Sequence, residues 1–169
     1  MKRLFKIGLL AFALMSTAAC SEEVGKGSEK AVETKAIKDG HVVAVHLGNT
    51  FEEVAKGRVQ LHNLDKLVQL EKKVEAKEQT EPVTITILNN KKEELAKNTL
   101  NYDGKVITFN NNYDGYRGSA KGTFTCEYMM IRGGAVYLES CKDQEEKEVT
   151  TVLAFMGTQK AFREAEAAN

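Results

Sequence analysis

The chain has 169 residues, and 24 Lys and Arg balance 24 Asp and Glu, so its formal net charge is zero. A nucleic-acid partner would favour a basic stripe, and since the sequence shows none, we do not expect such a partner. The length fits one domain, which at this size buries about two-thirds of the surface that its unfolded chain exposes.

The first 20 residues have the three-part layout of an export signal. Three basic residues precede an apolar run at 7–15, and small residues at 16–19 end directly at Cys20. A membrane-spanning helix needs about 20 apolar residues, so this run is too short for a permanent anchor. Cleavage before Cys20 removes three basic residues, which leaves 24 − 3 = 21 against 24 acidic ones and a net charge of −3.

The end of this segment, Thr17-Ala18-Ala19-Cys20, indicates how the signal is removed. It resembles the lipobox of bacterial lipoproteins, with Thr17 where leucine is commonest. The resemblance implies that lipid is attached to Cys20, that residues 1–19 are removed as a signal peptide, and that the lipid holds the protein on a membrane. Cysteine parity agrees, because lipidation leaves two cysteines for one bridge. The alternative is an ordinary secretory site with an incidental cysteine.

The residues after Cys20 predict which membrane carries the protein and how far the folded domain lies from it. Ser21 follows the cysteine, and among enterobacterial lipoproteins a residue other than Asp there favours the outer membrane. Residues 21–30 are rich in Gly, Ser and charge, which predicts a flexible tether spanning about 18 Å. We therefore expect an envelope protein, lipid-anchored in the outer membrane and facing the periplasm or the cell surface, with its folded domain over residues 31–169.

The domain is predicted to begin with a hairpin and a short helix. Residues 32–38 and 41–47 flank an Asp-Gly pair at 39–40, which is a strong two-residue turn signal. Thr50 and Glu53 then match a capping box, which predicts a short helix ending near residue 57.

A second helix is predicted over residues 63–77. Its apolar side chains fall on one helical face, and Lys and Glu supply the opposite side. The face consists of Leu64, Leu67, Val68 and Val74.

From residue 82 onward the pattern changes to alternation with a period of two. Strands are predicted at 82–88, 99–102, 105–109, 123–132, 135–142 and 149–156, and a helix capped by Thr158 at 159–168. The segment 91–97 is open between a helical turn and a loop. Together the elements predict a single α+β domain, mainly an antiparallel β-sheet, with an N-terminal helical segment and a short C-terminal helix.

Two cysteines are predicted to bridge one hairpin. If Gly133-Gly134 forms a two-residue turn, cross-strand partners have numbers that sum to 267, as Cys126 and Cys141 do. Opposed residues have Cβ atoms about 4.5–5.5 Å apart, near enough for a disulfide after slight adjustment. Their pairing type could strain the bridge, so a bulge or longer turn could intervene. The alternative, a redox pair, usually has Cys-x-x-Cys spacing.

The sequence offers no strong catalytic or metal-binding motif. His41 and His46 lie five residues apart on one predicted strand, so their side chains should point to opposite faces. Residues 110–115 resemble the start of a calcium loop, but Lys121 stands where a bidentate Glu is required. Residues 118–122 match neither a serine-nucleophile turn nor a phosphate-binding loop. We therefore predict no catalytic residues, no metal site and no cofactor.

Aromatic residues concentrate in the β-rich half, and one loop among them is our candidate contact surface. Tyr supplies contact area and a hydroxyl at a small entropic cost, so Tyr113, Tyr116 and Arg117 are predicted to touch a partner. The alternative is that these aromatics reflect β-propensity alone.

Three functions remain open at this point. The leading hypothesis is a non-enzymatic binding module of the envelope, with an envelope protein as its partner. The second is an inhibitor of a wall hydrolase such as lysozyme, although the Ser-Gly-x-x-Tyr motif of the small lysozyme-inhibitor lipoproteins is missing. The third is an envelope hydrolase whose active site comes from distant residues.

Replacement of Cys20 tests the anchor directly. In Cys20→Ser the acceptor sulfur is gone, so metabolic labelling with a fatty-acid analogue should fall to background, and mass spectrometry should find no lipid at the mature N-terminus. Label that persists in Cys20→Ser would contradict the predicted anchor.

Overall fold

A computed structural model describes residues 26–117 and 119–168, with side chains from residue 31 onward. The helices in this part are α1 (Lys26–Lys38), α2 (Phe51–Ala55), α3 (Asp65–Ala76) and α4 (Gln159–Ala167). The strands are β1 (Val42–His46), β2 (Val59–His62), β3 (Val83–Leu88), β4 (Glu94–Tyr102), β5 (Ile107–Asn111), β6 (Gly122–Cys126), β7 (Tyr128–Arg132), β8 (Ala135–Lys142) and β9 (Glu148–Met156). Cys20, the predicted signal peptide and residues 20–25 of the predicted tether lie outside the described residues.

The strands form one curled sheet with the order β2-β1-β3-β4-β5-β6-β8-β7, and β9 pairs with β8. From β3 onward every pairing is antiparallel, whereas β1 lies parallel to β3. The sheet curls far enough that Gly157, directly after β9, packs against Leu61 of β2. The predicted single α+β domain with a mainly antiparallel sheet is confirmed.

The predicted hairpin at residues 39–40 is wrong, because residues 26–38 form helix α1. Gly40 has φ +79°, its N–H donates to Ile37 O at 3.0 Å, and His41 N donates to Ala36 O at 2.9 Å. This pair of bonds is the usual end of a helix at a left-handed glycine. An Asp-Gly pair serves a helix end as readily as a hairpin turn. Helix α1 also includes residues 26–30, which the sequence predicts as tether.

Strand β1 is buried on both of its faces. Val42 and Ala44 belong to the main core, whereas Val43 and Val45 pack with Ala36 of α1 in a smaller cluster on the other side of the sheet. The parallel neighbour β3 and the antiparallel neighbour β2 occupy both edges of β1. A strand that is buried on both faces has a nearly continuous run of apolar residues, and here helix α1 covers the face opposite the main core.

Helix α1 is also held by a buried charge. Glu33 is 5% exposed, forms an ion pair with Lys92 in the turn between β3 and β4, and lies 3.5 Å from His62 Nε2. A carboxylate is rarely buried unless it is paired, so these contacts fix the position of the helix on the sheet.

The remaining helices agree with their predictions. Leu67, Val68 and Val74 of α3 are buried in the main core, as the predicted apolar face requires, and Leu70 joins them. Threonine caps begin both short helices. Thr50 Oγ1 accepts from Glu53 N at 3.3 Å, and Thr158 Oγ1 accepts from Ala161 N at 3.1 Å.

Two segments of the sheet differ from the sequence prediction. The segment 91–97, for which the sequence left a helical turn and a loop open, instead contains the start of strand β4 at Glu94. Strand β2 was not predicted at all, because its four residues carry too little pattern to be recognised. Strands β4 and β5 form a hairpin with a four-residue loop, in which Asp103 Oδ1 accepts from the N–H groups of Lys105 and Val106 at 2.9 Å each.

The predicted disulfide between Cys126 and Cys141 is confirmed, with Cα atoms 4.0 Å apart. The predicted register also holds, since Tyr128 pairs with Glu139 and Arg132 with Ala135. The ladder is interrupted beside the bridge, so the predicted strand 123–132 is two strands, β6 and β7. At this interruption Ser140 has φ +53°, and Glu127 N donates to Glu139 O at 3.2 Å.

Among the described residues, no helix combines the length and the apolar character that crossing a membrane would require.

Removal of the disulfide should destabilise the domain. The bridge closes a separation of 15 residues, so Cys126→Ala with Cys141→Ala should lower the free energy of unfolding by about 3 kcal/mol in the chain-entropy model. Urea denaturation measures the change. Reducing agent should produce a similar loss in the wild type and none in the double variant. A wild type whose unfolding midpoint survives verified reduction would contradict the prediction.

Candidate functional site

A cavity of about 280 Å³ lies where β1 ends. We call it the His46 cavity, because the last residue of β1 lies in its wall. Three further segments complete the wall: residues 48–54 before and within α2, residues 89–95 from the turn after β3 into β4, and the loop between β5 and β6. The lining residues are His46, Gly48, Asn49, Thr50, Phe51, Val54, Asn89, Asn90, Leu95, Tyr113, Gly115 and Tyr116.

His46 is held between two tyrosines from the loop between β5 and β6. Its Nε2 lies 3.2 Å from Tyr116 Oη, and its Nδ1 lies 3.3 Å from Tyr113 Oη. The two tyrosine rings pack edge to face with centroids 4.8 Å apart. Both imidazole nitrogens therefore have partners, which allows the ring to be buried.

Burial keeps His46 uncharged at neutral pH. The side chain is 4% exposed, and desolvation lowers its pKa to about 4. Protonation would also turn both ring nitrogens into donors, which would remove the acceptor that faces Tyr116. Burial likewise raises the pKa of both tyrosines above the ordinary value, so their hydroxyls stay protonated.

The direction of these hydrogen bonds follows from the burial of Tyr116, which is 3% exposed. A buried hydroxyl hydrogen needs an acceptor, and His46 Nε2, 3.2 Å from Tyr116 Oη, can supply one. Tyr116 then donates to Nε2, and Nδ1 carries the imidazole hydrogen and donates to Tyr113 Oη. The Tyr113 hydroxyl hydrogen is left to donate to a molecule in the cavity.

A network of buried side chains holds the loop that carries the two tyrosines. Asn98 of β4 is fully buried, and its Nδ2 donates to Asn111 Oδ1 at 2.9 Å. Asn111 Nδ2 donates to Ser119 Oγ at 2.9 Å and to Ala120 O at 2.7 Å. Asn98 Oδ1 and Asn111 Oδ1 accept the backbone N–H groups of residues 112 and 113. Both ends of the loop are thus tied to the sheet.

Close packing shapes the cavity at two glycines. A Cβ atom added at Gly115 would lie 2.3 Å from the Tyr113 ring, and one added at Gly48 would lie 2.5 Å from Glu53 Cβ. Both glycines therefore permit an approach that no other residue allows. Glu53 itself pairs with Arg58 and accepts from Asn49 N at 2.8 Å, which fixes the start of α2.

The predicted contact residues occupy different depths. Tyr113 is half-buried in the cavity wall, Tyr116 is buried beneath the loop, and Arg117 is exposed. Arg117 lines a shallow hollow beyond Phe51, together with Glu52, Asp114 and other loop residues. The role of these residues in partner contact stays a prediction, with Tyr113 and Arg117 as the side chains that a partner can reach.

His46 was not predicted as a site residue from the sequence. His41, which precedes β1, has a different partner, since its Nδ1 lies 3.0 Å from Thr86 Oγ1. The partners of His46 are 67 and 70 residues away along the chain, so no local spacing could reveal the cluster.

A larger hollow of about 470 Å³ lies beside α3 and includes His41, Lys66, Lys73 and Glu81. Its charges have both signs, Lys73 pairs with Glu78, and His41 is already bonded to Thr86. Among the described residues, no group of three or more His, Cys, Asp or Glu is arranged to hold a metal ion. The His46 cavity is therefore the better candidate site.

Comparison of the chain with protein-family models, with curated proteins and with solved structures found no match.

The buried imidazole should make stability depend on pH. The unfolded chain binds a proton near the ordinary His pKa of 6.5, whereas the folded protein binds it only near 4, so stability falls as the pH drops through this window. Relative to His46→Gln, the wild type should lose about 3 kcal/mol of unfolding free energy between pH 7 and pH 4. Urea denaturation at several pH values measures both proteins. Parallel pH profiles would contradict a buried neutral imidazole.

Proposed function

We propose that the protein is a membrane-anchored envelope lipoprotein that acts as a non-enzymatic binding module. We propose further that its binding face consists of the His46 cavity and the exposed side of residues 112–117, which we call the cavity face. The observation that carries this proposal is a concave site whose walls are fixed before any ligand arrives.

The fixed loop supports binding for an energetic reason. Ordering a mobile loop on association costs conformational entropy, which reduces affinity. Here Asn98 and Asn111 hold the loop from within the sheet, and Tyr113 and Tyr116 are tied to His46. A partner that docks on the cavity face would therefore meet a surface that is already ordered.

The chemistry of the cluster favours binding over proton transfer. A general base works best with a pKa near the ambient pH, and the pKa of His46 is about 4. Both imidazole nitrogens are also engaged by tyrosine hydroxyls. The cluster is thus suited to present hydrogen bonds rather than to take protons from a substrate.

The proposed anchor keeps the binding face close to the membrane. Helix α1 begins at Lys26, so five residues, 21–25, separate it from Cys20. Five residues reach at most about 18 Å when fully extended. A partner of the cavity face should therefore lie in or near the membrane that carries the lipid.

Site-specific photo-crosslinking in cells tests the binding face. A photoreactive amino acid at Arg117 should give a defined crosslinked product, because this side chain lies exposed beside the cavity. The matched control is Lys105, an exposed cationic residue in the turn between β4 and β5. This turn precedes β5, whereas the loop that carries Arg117 follows it, so the two positions lie at opposite ends of that strand.

Two further results decide the outcome. Adding Tyr113→Ala to the position-117 protein should reduce the product strongly, since it removes an aromatic side chain from the cavity wall. Equal products from positions 117 and 105, or none from position 117, would reject the cavity face as the binding surface.

A further inference from the structure

In the part of the chain that the structure describes, the residues that line the His46 cavity include no Asp, Glu, Lys or Arg. The His46 imidazole is neutral at physiological pH, because burial lowers its pKa to about 4. A charged ligand entering this cavity would lose hydration without meeting an opposite charge, which is strongly unfavourable. The lining therefore selects for an uncharged ligand.

The polar groups of the lining suit a ligand with several hydroxyls. When Tyr116 donates to His46 Nε2 and His46 Nδ1 donates to Tyr113 Oη, Tyr113 has a hydroxyl hydrogen to donate. The side chains of Asn49 and Asn90 are exposed at the cavity wall, and each amide can donate and accept. The Thr50 hydroxyl oxygen accepts the capping hydrogen bond from Glu53 N, and its own hydrogen stays available to donate. Hydroxyl groups, which both donate and accept, match this mixture.

Apolar surface lies beside these polar groups. The rings of Phe51 and Tyr113 are half-buried in the wall, and Leu95 is 46% exposed although it is a large aliphatic side chain. Aromatic faces and aliphatic carbons gain free energy by covering C–H surface. The ligand should therefore carry an apolar face as well as hydroxyls.

The surroundings do not suit an extended peptide strand. Strand addition needs an unpaired edge, and β1, which leads into the cavity, is paired on both sides by β2 and β3. The volume of about 280 Å³ lies just below the range of roughly 300–1,000 Å³ for small-molecule sites. One compact unit of a larger molecule fits this geometry better than a continuous segment of chain.

We infer that the His46 cavity binds an uncharged sugar residue of an envelope glycan. A pyranose ring combines several hydroxyls with a face of C–H bonds, which are the two features that the lining selects. Tyr113 donates to a sugar oxygen, Asn49 and Asn90 bind neighbouring hydroxyls, and Phe51 packs against the ring. The inference rests on the proposed binding face and names its ligand class.

Titration with defined sugars tests the inference. The full chain, in phosphocholine micelles whose headgroup contains no sugar, is titrated with oligomers of N-acetylglucosamine, glucose, galactose and mannose at millimolar concentrations. The anionic sugar sialic acid and a neutral peptide serve as comparison ligands. Amide and side-chain NMR shifts report which residues respond. The N-acetylglucosamine arm represents wall glycan, and the hexose arms represent other surface polysaccharides.

We expect at least one neutral sugar to shift signals of Asn49, Asn90 and Tyr113 in a saturable manner. Tyr113→Phe should weaken the affinity for that sugar about fivefold, because one hydrogen bond of ordinary strength is lost. Phe51→Ala should abolish detectable binding. The matched control Tyr128→Phe alters a tyrosine on β7 that is 58% exposed and outside the cavity, and should leave affinity unchanged.

Four results would overturn the inference, the first three of which concern the sugars and the variants. These are no response at the cavity to any neutral sugar, a stronger response to sialic acid than to every neutral sugar, or equal weakening by Tyr113→Phe and Tyr128→Phe. A cavity response to the peptide alone would also reject a sugar ligand. In each case the photo-crosslinking experiment still decides separately whether the cavity face binds a partner.

Discussion

Burial of β1 on both faces is the constraint on which the N-terminal half of the structure depends. Val42 and Ala44 are buried in the main core on one face of the strand. On the other face, Val43 and Val45 are buried against α1. Because β2 and β3 then occupy both edges, the strand is immobilised in every direction. The last residue of this strand is His46, so the same packing that satisfies four apolar side chains places an imidazole at the wall of a cavity.

The site itself depends on polar groups that are buried and satisfied. Asn98 and Asn111 form a hydrogen bond with each other and accept hydrogen bonds from the backbone of the following loop, so that these buried groups need no water as a partner. An unsatisfied buried amide costs about 1–3 kcal/mol, so the network specifies one loop conformation rather than merely adding stability. Tyr113 is therefore presented to the cavity in a fixed orientation, which is the basis for proposing that the cavity binds a ligand.

Several elements could be read from the sequence because their signals are local. The caps at Thr50 and Thr158 and the facing positions of Cys126 and Cys141 each depend on residues that are close in sequence or related by one turn. The start of the domain could not be read in this way. An Asp-Gly pair allows a left-handed residue in both a hairpin and a helix end, and only the tertiary cover of β1 by α1 distinguishes the two.

The sequence by itself determined the α+β class, the register of the cysteine hairpin, and the prediction of a lipid-anchored envelope protein from residues 17–20. It also marked Tyr113, Tyr116 and Arg117 as one loop of interest. Only the tertiary structure decided that Tyr116 is buried, that Tyr113 faces a cavity, and that His46 joins them. The physical reason is distance along the chain. The cluster arises from the curl of the sheet and from two buried asparagines, and neither leaves a periodic pattern in the sequence.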